Sequence, residues 1–209
     1  MSNSLRRLAP LTGIVFAVLL VVTFTSPETP GVNDSGIQVI NFYKDHHSAL
    51  LIGDICGAIG VVFFLFFLSS LRGFFRDKEG ADGLSRAAFA GGILIAVGGA
   101  VFTSLDVSLI DGRNHITPQA AQAINVLSNG FFFPFEIGLI VFALCTGLAI
   151  IASGALPKWL GWIMVAIGVI AFTPVGFFAF FVVMIWSVIV AILIYRRSGA
   201  PAEAAPAAA

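Results

Sequence analysis

Residues 51–71 read LIGDICGAIGVVFFLFFLSSL, an apolar stretch that contains one charged residue, Asp54. A helix needs about 20 mainly apolar residues to cross the roughly 30 Å hydrocarbon core of a bilayer. Inside lipid the backbone must satisfy its own hydrogen bonds, and a helix does so within one segment. This stretch therefore predicts a transmembrane helix, and it decides the class of fold.

Further apolar segments lie on both sides of this stretch. Six spans are predicted, at residues 8–25, 48–71, 87–110, 131–152, 159–173 and 176–195. The whole 209-residue chain is 58% hydrophobic and 11% charged. Soluble domains average about 45–50% apolar and about 25% charged residues, so this composition excludes a water-soluble globular protein.

The sequence predicts an all-α membrane protein with a six-helix transmembrane bundle. One domain covers residues 1–197, and an Ala/Pro-rich tail at 198–209 is expected to be disordered. The fifth and sixth segments share one apolar run that is broken only at residues 173–176. Two full spans and a re-entrant hairpin are both compatible with that break.

The distribution of basic residues predicts the orientation. With the N-terminus inside, nine basic residues fall on the cytoplasmic side: Arg6, Arg7, Arg72, Arg76, Lys78, Arg86, Lys158, Arg196 and Arg197. Two, Lys44 and Arg113, fall outside. Cytoplasmic loops of membrane proteins carry the excess of Lys and Arg. We therefore expect a multi-pass protein of the inner (plasma) membrane with both termini in the cytoplasm.

The outer loops contain one further predicted helix. Thr117 followed by Pro118 is typical of a helix start, with Thr as the cap and Pro in the first turn. This extracytoplasmic helix is expected to lead into the fourth span, where Pro134 would kink it. In the first outer loop, residues 37–43 are expected to lie along the membrane surface.

Small residues recur at helical spacing in the second and third spans. They are Ala49, Gly53 and Gly57 in one, and Ala88, Gly92, Ala96 and Ala100 in the other. Such faces let helix backbones approach closely in lipid. Packing within the bundle is the favoured interpretation, and a homo-oligomer through these faces is the alternative.

Three carboxylates interrupt the predicted spans at similar depths below the outer boundary: Asp54, Asp106 and Glu136. An ionisable residue within the bilayer is costly and is expected to face the bundle interior. The nearest histidines, His46, His47 and His115, lie in the outer loops. Together these six residues are the candidate pocket for a ligand or ion.

Four interpretations of this pocket remain open. The acids can bind a proton or cation, they can bind the polar head of a lipid or amphiphile, or they can only fix helix packing through hydrogen bonds. A metal site is the fourth, but no regular ligand spacing supports it, so no metal ligand is predicted. No catalytic residue or particular cofactor is predicted either, and a net charge of zero without a basic block excludes nucleic acid as a partner.

Two stretches carry a resemblance to a known family. Residues 51–63, LIGDICGAIGVVF, followed by Leu71 and Arg72, and residues 153–161, SGALPKWLG, resemble an uncharacterised family of multi-span bacterial membrane proteins of actinobacterial type, a domain of unknown function. Asp54 matches an acid of that family. The histidines expected before the fourth span are absent, and Asn129, Gly130 and Glu136 stand there instead. The resemblance implies fold and localisation, because that family has no established activity.

Three functions are compatible with these features. The favoured one is a non-enzymatic accessory or scaffold subunit of a membrane complex, with the lipid bilayer and other membrane proteins as partners. The alternative is a small carrier or binding protein with an acidic, outward-facing pocket for a cation, lipid or amphiphile. An intramembrane enzyme comes third, since no nucleophile or metal site is recognisable.

Overall fold

The computed structural model describes residues 7–130, 132–173 and 176–198. A 3-10 turn at Ala9–Leu11 leads into a series of helices. They are α1 (Thr12–Thr23), α2 (Gly36–Phe75), α3 (Asp82–Gly112), α4 (Pro118–Gly130), α5 (Phe132–Ser153), α6 (Lys158–Ile170) and α7 (Gly176–Ser198). The prediction of an all-helical fold is confirmed. Arg6 and the tail at 199–209 lie outside the described residues.

Among the described residues, four helical stretches are long and apolar enough to cross a membrane. They are α2, α3, the run Pro118–Ser153 that comprises α4 and α5, and residues Phe178–Arg197 of α7. Two further apolar helices, Ala9–Thr23 and Lys158–Ile170, are shorter. At 1.5 Å per residue they measure about 22 Å and about 20 Å, less than the roughly 30 Å of a hydrocarbon core. The described part of the chain thus contains four candidate spans of sufficient length, where the sequence predicted six.

α2 is much longer than the predicted second span. Its 40 residues extend about 60 Å, twice the thickness of the hydrocarbon core. The helix begins at a capping box, in which the Gln38 backbone N–H donates to Ser35 Oγ and the Ser35 backbone N–H donates to Gln38 Oε1. Residues 37–43 therefore form the first turns of this long helix rather than a separate surface segment.

The N-terminal part of α2 is stabilised by a small second core. Val39, Tyr43 and Leu50 of α2 pack there against Leu109 and Ile110 of α3 and Ala121 of α4. α4 begins at Pro118 as predicted, and the Thr117 hydroxyl accepts a hydrogen bond from the Ala120 N–H at 3.4 Å. Gly36 leaves no room for a side chain, because a Cβ there would lie 1.8 Å from the Pro118 carbonyl oxygen.

Glycines set the close crossings in the main core. A Cβ on Gly91 of α3 would lie 2.6 Å from the Phe142 nitrogen, and a Cβ on Gly138 of α5 would lie 2.7 Å from the Gly91 oxygen. Gly147 of α5 and Gly161 of α6 meet in the same way. Backbone contact of this kind lets helices in lipid gain van der Waals attraction over a long interface.

The predicted small-residue faces are largely used inside the chain. Gly53 and Gly57 pack on the end of α1 and the residues after it, and Gly92 packs on Leu68. Ala88 and Ala96 are buried in the main core. Ala49 and Ala100 are exposed. Packing within the bundle therefore accounts for five of the seven positions, and a homo-oligomer stays a prediction.

Several basic residues meet at one end of the bundle. The Arg7 guanidinium lies 5.3 Å from the centroid of the Tyr195 ring, which joins the start of α1 to the end of α7. Arg197 donates to the Ala155 carbonyl at the turn between α5 and α6. Arg72, at the end of α2, lies 5.3 Å from the centroid of the Phe89 ring in α3. Cation–π contacts of this type contribute about 0.5–1 kcal/mol at exposed sites.

The turn between α6 and α7 falls at the predicted break. α6 ends at Ile170, and the Gly176 N–H at the start of α7 donates to the Thr173 carbonyl at 2.8 Å. Pro174 and Val175 lie outside the described residues.

Candidate functional site

A cavity of about 480 Å³ opens among α1, α2, α3 and α5. Residues 26–29, in the connection between α1 and α2, form part of its wall. Most of the remaining lining is apolar: Leu20, Phe24, Leu50, Val61, Phe102, Phe132 and Phe135, together with four glycines. Thr23 joins two of the walls, since its hydroxyl donates to the Gly53 carbonyl of α2 at 3.0 Å.

Asp106 of α3 lines the cavity at its polar side. Only 4% of the residue is exposed. The Tyr43 hydroxyl of α2 donates to Asp106 Oδ1 at 2.8 Å, and the buried Ser128 side chain of α4 lies near the same carboxylate. A buried carboxylate is tolerated when donors from the protein satisfy its oxygens. The Tyr43 hydrogen bond thus joins this carboxylate of α3 to α2.

Asp54 of α2 lines the same cavity. Asp106 lines it as well, so the two carboxylates belong to one site. The Asp54 Oδ2 atom is buried and has no hydrogen-bond partner in the described part of the chain. Buried polar atoms are nearly always paired, so an unpaired one at a cavity wall calls for a partner.

The third predicted acid occupies a different place. Glu136 is half-buried on α5 and is not among the residues that line the cavity. The neighbouring residue of α5, Phe135, lines the cavity instead. An acid from outside the predicted set, the exposed Glu28, lines the cavity from the α1–α2 connection.

The three histidines lie away from the cavity lining. His46 Nδ1 is 3.0 Å from the Phe42 carbonyl oxygen, and its ring stacks on Phe42 at 4.6 Å between centroids. His47 Nδ1 lies 3.0 Å from the Lys44 carbonyl oxygen. His115 follows the end of α3 in a turn. Within the described residues, no group of three His, Cys, Asp or Glu side chains is placed to hold a metal ion.

α4 also holds the connection that forms the outer wall. The Asn125 side-chain amide donates to the Gly31 carbonyl at 2.9 Å, and the Asn129 amide donates to the Pro30 carbonyl at 3.2 Å. Asn125 is 1% exposed. One face of α4 therefore contacts both the Asp106 carboxylate, through Ser128, and the segment beside the cavity.

Tyr43, Ser128 and Glu28 were not singled out from the sequence. Tyr43 stands 11 residues before Asp54, which is about three helical turns, so both side chains project from one face of a continuous helix. A helix that begins near residue 48 does not include Tyr43, so the sequence prediction did not place Tyr43 and Asp54 on one helical face. The capping box at Ser35 and Gln38 is the local pattern that marks the true start.

The chain matches no protein-family model, no curated protein and no solved structure. The chemistry of the site follows from its own geometry. That geometry combines two interacting carboxylates with an apolar chamber large enough for a small organic molecule.

Proposed function

We propose that this chain is an integral membrane protein that binds a small amphiphile in the cavity, with the polar head of the ligand at Asp54 and Asp106. The observation that carries the proposal is Asp54, a residue that lines an apolar cavity and whose buried Oδ2 atom has no hydrogen-bond partner in the described residues. Ligand sites are typically mainly apolar clefts with a few convergent polar groups.

The size and lining of the cavity support an amphiphile. About 480 Å³ lies within the range of about 300–1,000 Å³ typical of small-molecule sites. Phenylalanine and leucine side chains supply the surface for an apolar tail, and the two carboxylates supply acceptors for a polar head. A lone inorganic ion would leave most of this apolar wall without a contact.

We also propose the six-span arrangement in the inner membrane, with both termini in the cytoplasm. Three helix ends that lie at one end of the bundle support a single basic face. They are the start of α1 with Arg7, the end of α2 with Arg72 and the end of α7 with Arg197. That face fits the cytoplasmic side. The second core around Tyr43 then lies at the opposite, outer end, where α4 and the N-terminal part of α2 project from the bilayer.

The sequence alone favours a different function, an accessory or scaffold subunit of a membrane complex. An experiment must distinguish that function from ligand binding. An intramembrane enzyme ranks below both, because the cavity offers three carboxylates and no arranged nucleophile among its described lining residues.

The test is to isolate the tagged full chain in a mild detergent and to analyse proteins, lipids and small molecules together by mass spectrometry. We expect one defined amphiphile per chain, lost from Asp54→Asn and kept by Glu136→Gln, a matched carboxylate-to-amide change outside the cavity. A stoichiometric protein partner, with no amphiphile retained by the wild-type chain, would assign the chain to a complex instead.

A further inference from the structure

The charges that line the cavity have one sign. Asp54, Asp106 and Glu28 all contribute to the lining, and no Lys, Arg or His is among the described lining residues. Charge complementarity across a binding site excludes ligands of like charge and attracts those of opposite charge. An anionic head group would meet three carboxylates and no cation.

The Asp54 carboxylate also lacks a hydrogen-bond donor for one of its oxygens within the described residues. Asp106 accepts a hydrogen bond from the Tyr43 hydroxyl, whereas Asp54 Oδ2 is buried with no partner in the described residues. Two interacting carboxylates in a low-dielectric setting cost free energy unless a proton or a cation neutralises one of them. A ligand that brings both positive charge and N–H donors would satisfy both requirements.

Aromatic rings form a further part of the lining. Phe24, Phe102, Phe132 and Phe135 contribute side chains to the cavity. The face of an aromatic ring attracts a cation, and the attraction is stronger when the pair is desolvated. Apolar tails pack on the same rings, so a single lining serves both parts of a cationic amphiphile.

On these grounds we propose that the ligand is an amphiphile with a protonated amine head, which donates to Asp54 and Asp106 while its apolar tail lies along the phenylalanines. This inference rests on the proposed function and specifies its ligand class. Recognition of a metal ion by the same carboxylates is disfavoured, because no described cluster provides three ligating side chains.

The experiment uses the full chain in nanodiscs of phosphatidylcholine. Three probes share one tail and differ in the head: decylammonium, decyl sulfate and decyl maltoside. Each is radiolabelled and used below its micellar concentration in equilibrium dialysis, and binding to empty nanodiscs is subtracted. We expect decylammonium to bind at least about tenfold more tightly than decyl sulfate, because three carboxylates face the head group.

Variants test the site of binding. Asp54→Asn is expected to weaken decylammonium binding by about threefold or more, while Glu136→Gln keeps the wild-type affinity. Glu28→Lys provides a second variant that does not disturb packing, since Glu28 is exposed. It places a positive charge beside the cavity. We expect it to weaken the binding of decylammonium and to leave the binding of decyl maltoside unchanged.

The outcomes separate this inference from the proposed function. If decyl sulfate or decyl maltoside binds as tightly as decylammonium, or if both variants leave decylammonium binding unchanged, the amine inference is overturned while amphiphile binding stands. If none of the three probes binds above empty nanodiscs, the proposed function falls and the inference falls with it.

Discussion

The Tyr43 hydroxyl donates a 2.8 Å hydrogen bond to Asp106 Oδ1 across 63 residues of sequence. Both residues are almost fully buried, Tyr43 with 1% and Asp106 with 4% of its surface exposed. The bond connects the extended N-terminal part of α2 to the cavity wall in α3. A donor in this position stabilises the carboxylate, and the ring of the same residue completes the second core.

Tyr43→Phe is therefore expected to destabilise the protein. The substitution keeps the ring and removes one donor from a buried acceptor, which costs about 1–3 kcal/mol. The measurement is the free energy of unfolding by SDS titration in mixed micelles. The matched control is Tyr195→Phe, which keeps the ring that Arg7 covers and is expected to change stability little. Equal effects of the two substitutions would contradict a special role for the Tyr43 hydroxyl.

The two asparagines of α4 are expected to restrain the connection between α1 and α2. Asn125→Ala removes the 2.9 Å hydrogen bond to the Gly31 carbonyl, and a lost bond of this kind costs about 0.5–1.5 kcal/mol. Hydrogen exchange in residues 26–33 should accelerate by a factor of several, with less change in α6. Asn114→Ala, an exposed asparagine outside this contact, serves as the control. Unchanged exchange in the connection would show that other contacts hold it.

The close crossing of α3 and α5 predicts that alanine substitutions at two glycines of α3 have very different effects on stability. Gly91→Ala places a Cβ 2.6 Å from the Phe142 nitrogen, so the helices must separate, at a cost of about 1–3 kcal/mol. Gly83→Ala meets nothing within 4 Å and should be neutral or stabilising by up to about 1 kcal/mol from helix propensity. Thermal unfolding monitored by size-exclusion chromatography tests the pair. If Gly91→Ala leaves stability unchanged, the backbones of α3 and α5 are not in close contact at this position.

The proposed topology predicts labelling from opposite sides at the two ends of α3. Single cysteines at the exposed positions Glu79 and Asn114 are introduced after Cys56 and Cys145 are replaced by serine. In spheroplasts, a membrane-impermeant maleimide should label Asn114→Cys, and should label Glu79→Cys only after permeabilisation. Labelling of both cysteines from the outside, or of Glu79→Cys alone, would contradict the N-in arrangement.

Local sequence patterns were sufficient for much of the fold. Hydropathy located the helices, and Thr117 with Pro118 located the start of α4, because helix formation and capping depend on neighbouring residues. The length of α2 was underestimated, because its first turns are stabilised by contacts with α3 and α4 rather than by lipid. Such contacts join residues far apart in sequence, and hydropathy does not report them.

The partners of each acid depend on helix rotation, which a single sequence does not reveal. Gly138 of α5 faces α3, and Glu136 precedes it by two residues, which is about 200° around the helix. Phe135, three residues before Gly138, shares the α3 face and reaches the cavity. The glycine crossing thus explains why Phe135, rather than Glu136, lines the cavity that Asp54 and Asp106 share.

A larger side chain in the cavity wall tests whether the amphiphile binds in this cavity. Gly99 lines the cavity, and a Cβ there would meet only the Val61 Cγ2 atom, at 3.9 Å, so Gly99→Leu adds volume to the wall without a backbone clash. Gly73→Leu makes the same change at a position with nothing within 4 Å and outside the cavity. The measurement is native mass spectrometry of the amphiphile retained by each purified variant. We predict that Gly99→Leu is folded and empty while Gly73→Leu carries the ligand like the wild type. A folded Gly99→Leu protein that retains the ligand in full would contradict binding in this cavity.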